Sequence, residues 1–132
     1  MVEPLVVDAN EIISALLGGA AREILFSRKF VLYSTQHTLF EVEKFCKNCA
    51  QKLGRPEAEL FREFQLLPII ACQPREYEGE VQAANRLIGG RDPKDVQILA
   101  LTLQLRCPIW TEDRDFNDLP GVSVLRTDDM LA

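Results

Sequence analysis

Short, uninterrupted apolar runs alternate along this chain with segments in which apolar residues recur at helical spacing. The first run, LVV at positions 5–7, has no polar residue to face water, as in a strand that is buried on both faces. In the segment after it, Ile12, Ile13 and Leu16 fall on one face of a helix. Strands that alternate with helices predict an α/β fold, with a parallel sheet between layers of helices.

The same patterns place the remaining elements. Strands are predicted at 5–7, 30–33, 68–70, 108–111 and 122–124, and helices at 10–17, 20–26, 35–52, 56–66, 76–88 and 92–105. The chain has 132 residues and neither a repeat nor a linker. We therefore expect a single domain over residues 1–132.

Composition and the N-terminal segment indicate the class of this protein and its location in the cell. Apolar residues make up 47% and charged residues 27% of the chain, which is typical of globular proteins and not of disordered ones. No apolar run approaches the ~18 residues of a membrane span. The N-terminus has no basic segment ahead of an apolar one, so we expect no signal peptide, no membrane association and a cytoplasmic location.

The four cysteines are expected to be free thiols in that compartment. Cys46 and Cys49 form a C-x-x-C, which also suits zinc or redox chemistry. A zinc site needs about four ligands, and the chain has no second close cysteine pair and one histidine, His37. The motif falls late in a predicted helix, whereas a redox C-x-x-C opens one. A structural role is therefore the expectation.

Several familiar catalytic motifs are missing. The sequence contains no G-x-x-x-x-G-K-[ST] phosphate-binding loop, no G-x-G-x-x-G and no G-x-S-x-G. One histidine leaves little room for a Ser–His or Cys–His pair. The remaining candidates for chemistry are carboxylates.

Acidic residues follow two of the predicted strands. Asp8 comes directly after the first strand, and Asp113 and Asp115 come after the strand at 108–111. Ligands of open parallel sheets bind at the carboxyl ends of the strands. We therefore expect these three carboxylates to lie at one edge of the sheet.

Two helices add further acids. In the helix at 35–52, Glu41 shares a stripe with Thr38, Val42 and apolar residues, so it is predicted to point inward. Glu43 lies on another face, where Lys47 follows it at i+4 as an ordinary surface pair. In the later helix, Asp95 opens a stripe that continues through Ile98, Leu99 and Thr102.

Each acid also has a purely structural explanation. Asp8 or Asn10 can cap the first helix, Asp92-Pro93-Lys94-Asp95 suits a helix start, Asp113 and Asp115 suit a turn, and Glu41 can pair with an arginine. Together, however, such carboxylates repel each other by about 4 kcal/mol for a pair ~4 Å apart at an effective dielectric of ~20. A cluster of this kind must take up protons or hold cations, and oxygen ligands alone favour Mg²⁺ or Mn²⁺.

The net charge of −5 is unusual for a nucleic-acid-binding protein. Without the five acids Asp8, Glu41, Asp95, Asp113 and Asp115, the chain would be neutral. Basic residues in the loops could meet phosphates at the same edge, or could be ordinary surface charges; they are Arg22, Arg28, Lys29, Arg91, Lys94 and Arg114.

Four segments of the chain resemble the motifs of the PIN domain family of metal-dependent nucleases. They are Val6-Val7-Asp8-Ala9-Asn10 with Ser14, Thr38-Leu39-Phe40-Glu41-Val42, Asp92-Pro93-Lys94-Asp95-Val96-Gln97-Ile98-Leu99-Ala100 and Trp110-Thr111-Glu112-Asp113-Arg114-Asp115-Phe116. They occur in the family's order and cover nearly the whole chain. The resemblance implies a three-layer α/β/α sandwich with a parallel sheet of four or five strands.

The resemblance to this family also implies hydrolysis of phosphodiester bonds with Mg²⁺ or Mn²⁺, usually in single-stranded RNA. Many small members are toxins of toxin–antitoxin pairs, and they often form homodimers. The expected partners are therefore single-stranded RNA, with DNA as the alternative, a second copy of the chain and an antitoxin protein.

The matching positions imply roles for individual residues. Asp8, Asp95 and Asp113 are expected to bind the principal metal ion, and Glu41 and Asp115 to hold a second ion or orient the attacking water. Four residues are expected to support them: Asn10, Ser14 and Thr111 as hydrogen-bonding groups that fix the carboxylates, and Asp92 as an accessory acid.

Two other functions are compatible with parts of the pattern. One is a catalytically silent module that keeps the acids but only binds nucleic acid or a protein partner. The other is a phosphoryl receiver or a haloacid-dehalogenase phosphatase, but Asp8 is followed by Ala9 and Asn10, so it lacks the adjacent acid or the D-x-D that these require.

Overall fold

The computed structural model describes residues 2–131 and contains a five-stranded parallel sheet. The strands are β1 (Glu3–Val7), β2 (Phe30–Thr35), β3 (Ile69–Cys72), β4 (Ile109–Trp110) and β5 (Val124–Leu125). They lie in the order β3-β2-β1-β4-β5, and each neighbouring pair is parallel. The predicted α/β fold with a parallel sheet is confirmed.

Helices cover both faces of this sheet. They are α1 (Ala9–Leu16), α2 (Ala21–Leu25), α3 (Gln36–Leu53), α4 (Glu57–Gln65), α5 (Val81–Ile88), α6 (Val96–Leu105) and α7 (Thr127–Leu131). Side chains alternate along a strand, so Leu5 and Val7 pack with α1 to α4, while Val6 packs with α5 and α6. The helices on the two faces form the outer layers of an α/β/α sandwich. Among residues 2–131, no helix is both long and apolar enough to span a bilayer.

Two predicted helices begin differently in the structure. The segment 76–88 is not one helix: 3₁₀ turns at Pro74–Glu76 and Glu78–Glu80 precede α5. The second turn contains Gly79, a residue that weakens helices. The segment 92–105 opens with a 3₁₀ turn, Pro93–Asp95, before α6 begins. Asp95 therefore lies in a turn at the start of the helix.

The cysteines are unpaired, and Cys46 and Cys49 lie within α3. Burial raises the pKa of the Cys46 thiol, which makes it less reactive. Among residues 2–131, no cluster of potential metal ligands includes either cysteine.

The connections place most of the predicted acids at one edge of the sheet. Asp8 directly follows β1, and the segment 111–115 directly follows β4, its neighbour in the sheet.

Two of the predicted basic residues, Arg28 and Lys29, lie elsewhere, because they precede β2 and are therefore at the opposite, amino edge of the sheet. The prediction that these two basic residues surround the acidic edge was wrong.

Candidate active site

Asp8 connects the two central strands through its side chain. Its Oδ1 accepts a hydrogen bond from the backbone N–H of Ala9 at 2.8 Å, so it caps α1. Its Oδ2 accepts from the Thr111 hydroxyl at 2.8 Å, and Thr111 Oγ1 in turn accepts from the backbone N–H of Asp113 at 3.0 Å. Asp8 is 9% exposed, and this burial raises its pKa, with further contributions from the charges of Asp113 and Glu41.

Four other carboxylates form a cluster that does not include Asp8, although the Asp8 charge is close enough to raise the pKa of Asp95. One oxygen from each of Asp92, Asp95, Asp113 and Asp115 lies within 4.8 Å of those of the other three. Asp92 also accepts from the N–H of Lys94 at 3.0 Å, and Asp113 from the N–H of Asp115 at 2.9 Å. The capping and turn contacts anticipated from the sequence are therefore present, and they coexist with the cluster.

Asp95 is a member of this cluster with a raised pKa. Burial and the charges of Asp92, Asp8 and Asp113 together raise its pKa to about 7. Its Oδ2 is buried without a hydrogen-bond partner. A buried, unpartnered carboxylate oxygen is costly unless a proton or a cation reaches it.

The donor set fits a hard divalent cation. All four clustered ligands are carboxylate oxygens, and neither sulfur nor imidazole takes part. Mg²⁺ and Mn²⁺ prefer such ligands. Among residues 2–131, no lysine or arginine forms an ion pair with the carboxylate of any of the four acids.

Glu41 does not point inward as its stripe predicted. Its side chain is 49% exposed, and Oε1 lies 3.2 Å from Nε2 of His37. The buried face of α3 runs instead through Thr38, Val42 and Cys46. Helix α3 is therefore turned slightly from the predicted orientation. Glu41 remains at the same edge, since its charge contributes to the raised pKa of Asp8.

The predicted supporting residues divide into two groups. Thr111 is fully buried and bonds Asp8, while Asp92 belongs to the cluster. Asn10 and Ser14 are exposed, and within residues 2–131 neither side chain hydrogen bonds to an acid. The first turns of α1 carry both side chains to the surface.

Glu11 was missed by the sequence analysis. It is 4% exposed, its Oε2 has no partner, and burial with the nearby charge of Asp8 raises its pKa to about 7. Asp8-Ala9-Asn10-Glu11 has the spacing of a capping box, but the N–H of Asp8 is already bonded to the carbonyl of Trp110. The pattern could have revealed Glu11, because it shares the inward face of α1 with Ile12 and Ala15.

Arg126 was also not predicted from the sequence. Its side chain holds the loop at residues 111–115 against the end of β5. Its guanidinium donates to the carbonyl of Thr111 at 2.6 Å and to that of Asp113 at 3.5 Å, and it bonds the side chain of Asn117. No sequence pattern indicated this contact, since Arg126 lies more than ten residues from the two carbonyls that it meets.

The fold and the site thus define an α/β protein with an acidic centre at the carboxyl edge of a parallel sheet. A PIN domain sequence profile matches residues 6–132, and the chain belongs to the PIN domain family. This confirms the family that the motifs indicated. No curated protein matches the chain.

Solved structures with the same fold include a toxin–antitoxin complex and two proteins bound to DNA fragments. A toxin–antitoxin complex from Klebsiella pneumoniae superposes with a TM-score of 0.69 at 19% identity, covering 93% of this chain and 97% of that one. VapBC2 from Rickettsia felis, bound to a promoter DNA fragment, gives 0.67 at 12% identity, with 93% and 98% covered. FitAB bound to an IR36 DNA fragment gives 0.57 at 15% identity, with 93% and 94% covered. At these identities, the likeness shows the fold alone.

Replacing Glu11 by Gln is expected to change how stability depends on pH. The folded protein holds the Glu11 proton up to a pKa of about 7, against 4.5 for the ordinary group. The contribution of Glu11 to stability is therefore greatest below pH 4.5 and decreases as the pH rises to 7, by on the order of 3 kcal/mol. Glu11→Gln removes this decrease, so in EDTA the variant is more stable than the parent at pH 8 and about equal at pH 4.5.

Urea unfolding at both pH values measures the difference, and Glu78→Gln, at an exposed glutamate, is the control. If Glu11→Gln follows the same pH profile as the parent, the carboxyl is not buried as described.

Arg126→Ala is expected to lower the free energy of unfolding by about 1–3 kcal/mol, because the carbonyls of Thr111 and Asp113 lose a charged donor. Urea denaturation provides the measurement. Arg86→Ala, at an exposed position of α5, should stay within about 0.5 kcal/mol of the parent. Equal stabilities of the two variants would contradict a role for Arg126 in holding the loop.

Proposed function

We propose that this protein is a divalent-metal-dependent nuclease that hydrolyses phosphodiester bonds in single-stranded RNA. The observation that carries the proposal is the convergence of Asp92, Asp95, Asp113 and Asp115, with ligand oxygens within 4.8 Å of one another. Membership of the PIN domain family supports the same chemistry. RNA as the substrate rests on the resemblance to that family.

The proposed metal ligands are Asp95 and Asp113, with Asp92 and Asp115 beside them and Asp8 at the adjoining position. A divalent cation, when bound, makes water easier to deprotonate and offsets negative charge on phosphate oxygens. Within residues 2–131, Asp95 offers a buried oxygen, Oδ2, that has no hydrogen-bond partner, whereas both oxygens of Asp8 are already bonded.

The other residues of the chain orient this centre. Thr111 holds the Asp8 carboxylate and the backbone of Asp113 in one arrangement. Burial and the neighbouring carboxylates raise the pKa of Asp95 to about 7, so near neutral pH a good part of this group carries a proton before any cation arrives. We assign Glu41, exposed at the rim, to orienting the attacking water, and Arg91, Lys94 and Arg114 to contacts with substrate phosphates.

We extend the proposal to the partners of the chain. A structure that shares its fold is a toxin–antitoxin complex, which supports a role as the toxin of such a pair, bound by an antitoxin. The homodimer rests on the resemblance to the family. Light scattering during size-exclusion chromatography tests the homodimer. Co-expression with the product of an adjacent small gene tests the antitoxin. A monomer, or a chain that does not co-purify with that product, contradicts the corresponding part.

Asp8→Asn is expected to reduce Mn²⁺-dependent cleavage of a single-stranded RNA oligonucleotide by about 10- to 100-fold. Asn also caps helices, so the fold is kept while the charge is lost. The measurement is a gel assay with matched single-stranded DNA and duplex RNA. Asp128→Asn, at an exposed acid, is the control. Cleavage by Asp8→Asn at the parent rate would overturn the site.

Binding of Mn²⁺ at pH 7 is expected to release protons. The pKa of Asp95 is raised to about 7, so a good part of this group is protonated there, and the metal needs the ionised form. Calorimetric titration in two buffers of different ionisation enthalpy measures the release, which Asp95→Asn should reduce.

Tight Mn²⁺ binding without cleavage of any oligonucleotide would instead favour a catalytically silent module that binds nucleic acid or protein.

A further inference from the structure

A second concave site lies directly beside the acidic centre. It is a cavity of about 390 Å³ lined by His37, Pro74, Tyr77, Pro93, Lys94 and Gln97. These residues lie at the start of α3, after β3 and at the start of α6, all at the carboxyl edge of the sheet. Pro93 and Lys94 separate Asp92 from Asp95, so the cavity and the acidic cluster share one turn of the chain.

The chemistry of this cavity is opposite to that of its neighbour. None of its lining residues is acidic, and it presents the ammonium of Lys94, the imidazole of His37 and the amide of Gln97. The Glu41 carboxylate lies next to it, with Oε1 3.2 Å from Nε2 of His37. Within residues 2–131, no acid lies within 4.0 Å of the Lys94 ammonium, although two aspartates flank it in sequence. A site of this kind suits a ligand that carries negative charge and hydrogen-bond acceptors.

The amide of Gln97 is held in a defined orientation. Tyr77 is 1% exposed, and its hydroxyl donates to Oε1 of Gln97 at 2.7 Å. That bond leaves the NH₂ of Gln97, which makes no hydrogen bond within residues 2–131, as a donor at the surface of the cavity. A fixed amide donor discriminates between bases by the acceptors on their edges.

We infer that this cavity binds one nucleotide of the single-stranded RNA substrate, directly beside the acidic centre. Lys94 contacts a phosphate of that nucleotide, and the NH₂ of Gln97 donates to an acceptor on its base. The rings of His37, Pro74 and Pro93 provide surfaces against which the base packs. The volume lies in the range of small-molecule sites and suits one nucleotide rather than a duplex. The identity of the ligand rests on the proposed function.

The test measures RNA binding without cleavage. Fluorescence anisotropy in EDTA gives the Kd of the parent chain for single-stranded 12-mers of A, C and U. Lys94→Ala is expected to weaken binding to all three, and to reduce the slope of log Kd against log salt by about 0.7. Lys52→Ala, at an exposed lysine of α3, is the matched control and should leave both unchanged.

Gln97→Ala is expected to remove base preference. The parent should bind its best 12-mer roughly tenfold more tightly than its worst, and in the variant the three Kd values should approach one another. Tyr77→Phe should have the same effect without changing the salt slope, because it frees the amide without removing it. Gln104→Ala, at an exposed position on the same helix, is the control.

The outcomes separate this inference from the proposed function. If the parent cleaves RNA but Lys94→Ala and Gln97→Ala bind like their controls, the cavity assignment is overturned and the nuclease stands. If the variants lose binding as expected while the parent cleaves nothing with Mn²⁺, the cavity stands and the nuclease is overturned. Equal binding of DNA 12-mers, or no binding of RNA by the parent, overturns the assignment of the cavity to RNA.

Discussion

The hydrogen bond from Thr111 to Asp8 joins the ends of the two central strands, and the geometry of the acidic centre depends on it. The two residues are 103 positions apart in the sequence, yet Oγ1 and Oδ2 are 2.8 Å apart. Because Thr111 also accepts from the backbone of Asp113, one hydroxyl sets the position of both acids. Both side chains are buried, so in this low-dielectric setting the bonds are stronger, and costlier to lose, than at the surface.

The surrounding acids are held together against their repulsion. Asp92 and Asp113 each use one oxygen to bond a backbone N–H of their own turn, which leaves the second oxygen for the shared centre. Helix and turn capping therefore supply the local stabilisation that keeps each acid in place, and packing of the sheet brings the turns together. The burial of these acids and their remaining repulsion raise the pKa values of Asp8 and Asp95. A centre that can lower this cost by binding a cation is prepared for such binding by the fold itself.

The carboxyl edge of the sheet combines two sites of opposite character. The acidic cluster lies where β1 and β4 end, and the cavity that contains Lys94 and Gln97 lies toward β2 and β3. The segment from Asp92 to Gln97 contributes to both. A strand of nucleic acid that follows this edge would meet a cation at one nucleotide and basic and amide groups at the next. The negative net charge of the chain is therefore compatible with a nucleic-acid ligand, because the charge that matters is local.

The alternation of apolar runs and helical stripes determined the α/β fold, and the acids after the strands indicated the edge that they would share. These features were predictable because strand and helix periods are local properties of the sequence, and because parallel strands bring their carboxyl ends to one side. Only the tertiary structure decided the rest. The exposure of Glu41 depends on how α3 is rotated against the sheet. Glu11 does not complete a capping box, because strand pairing already occupies the N–H of Asp8. The contacts of Arg126 and the cavity beside Gln97 join residues that are distant in sequence, and such contacts follow from packing, which no local pattern specifies.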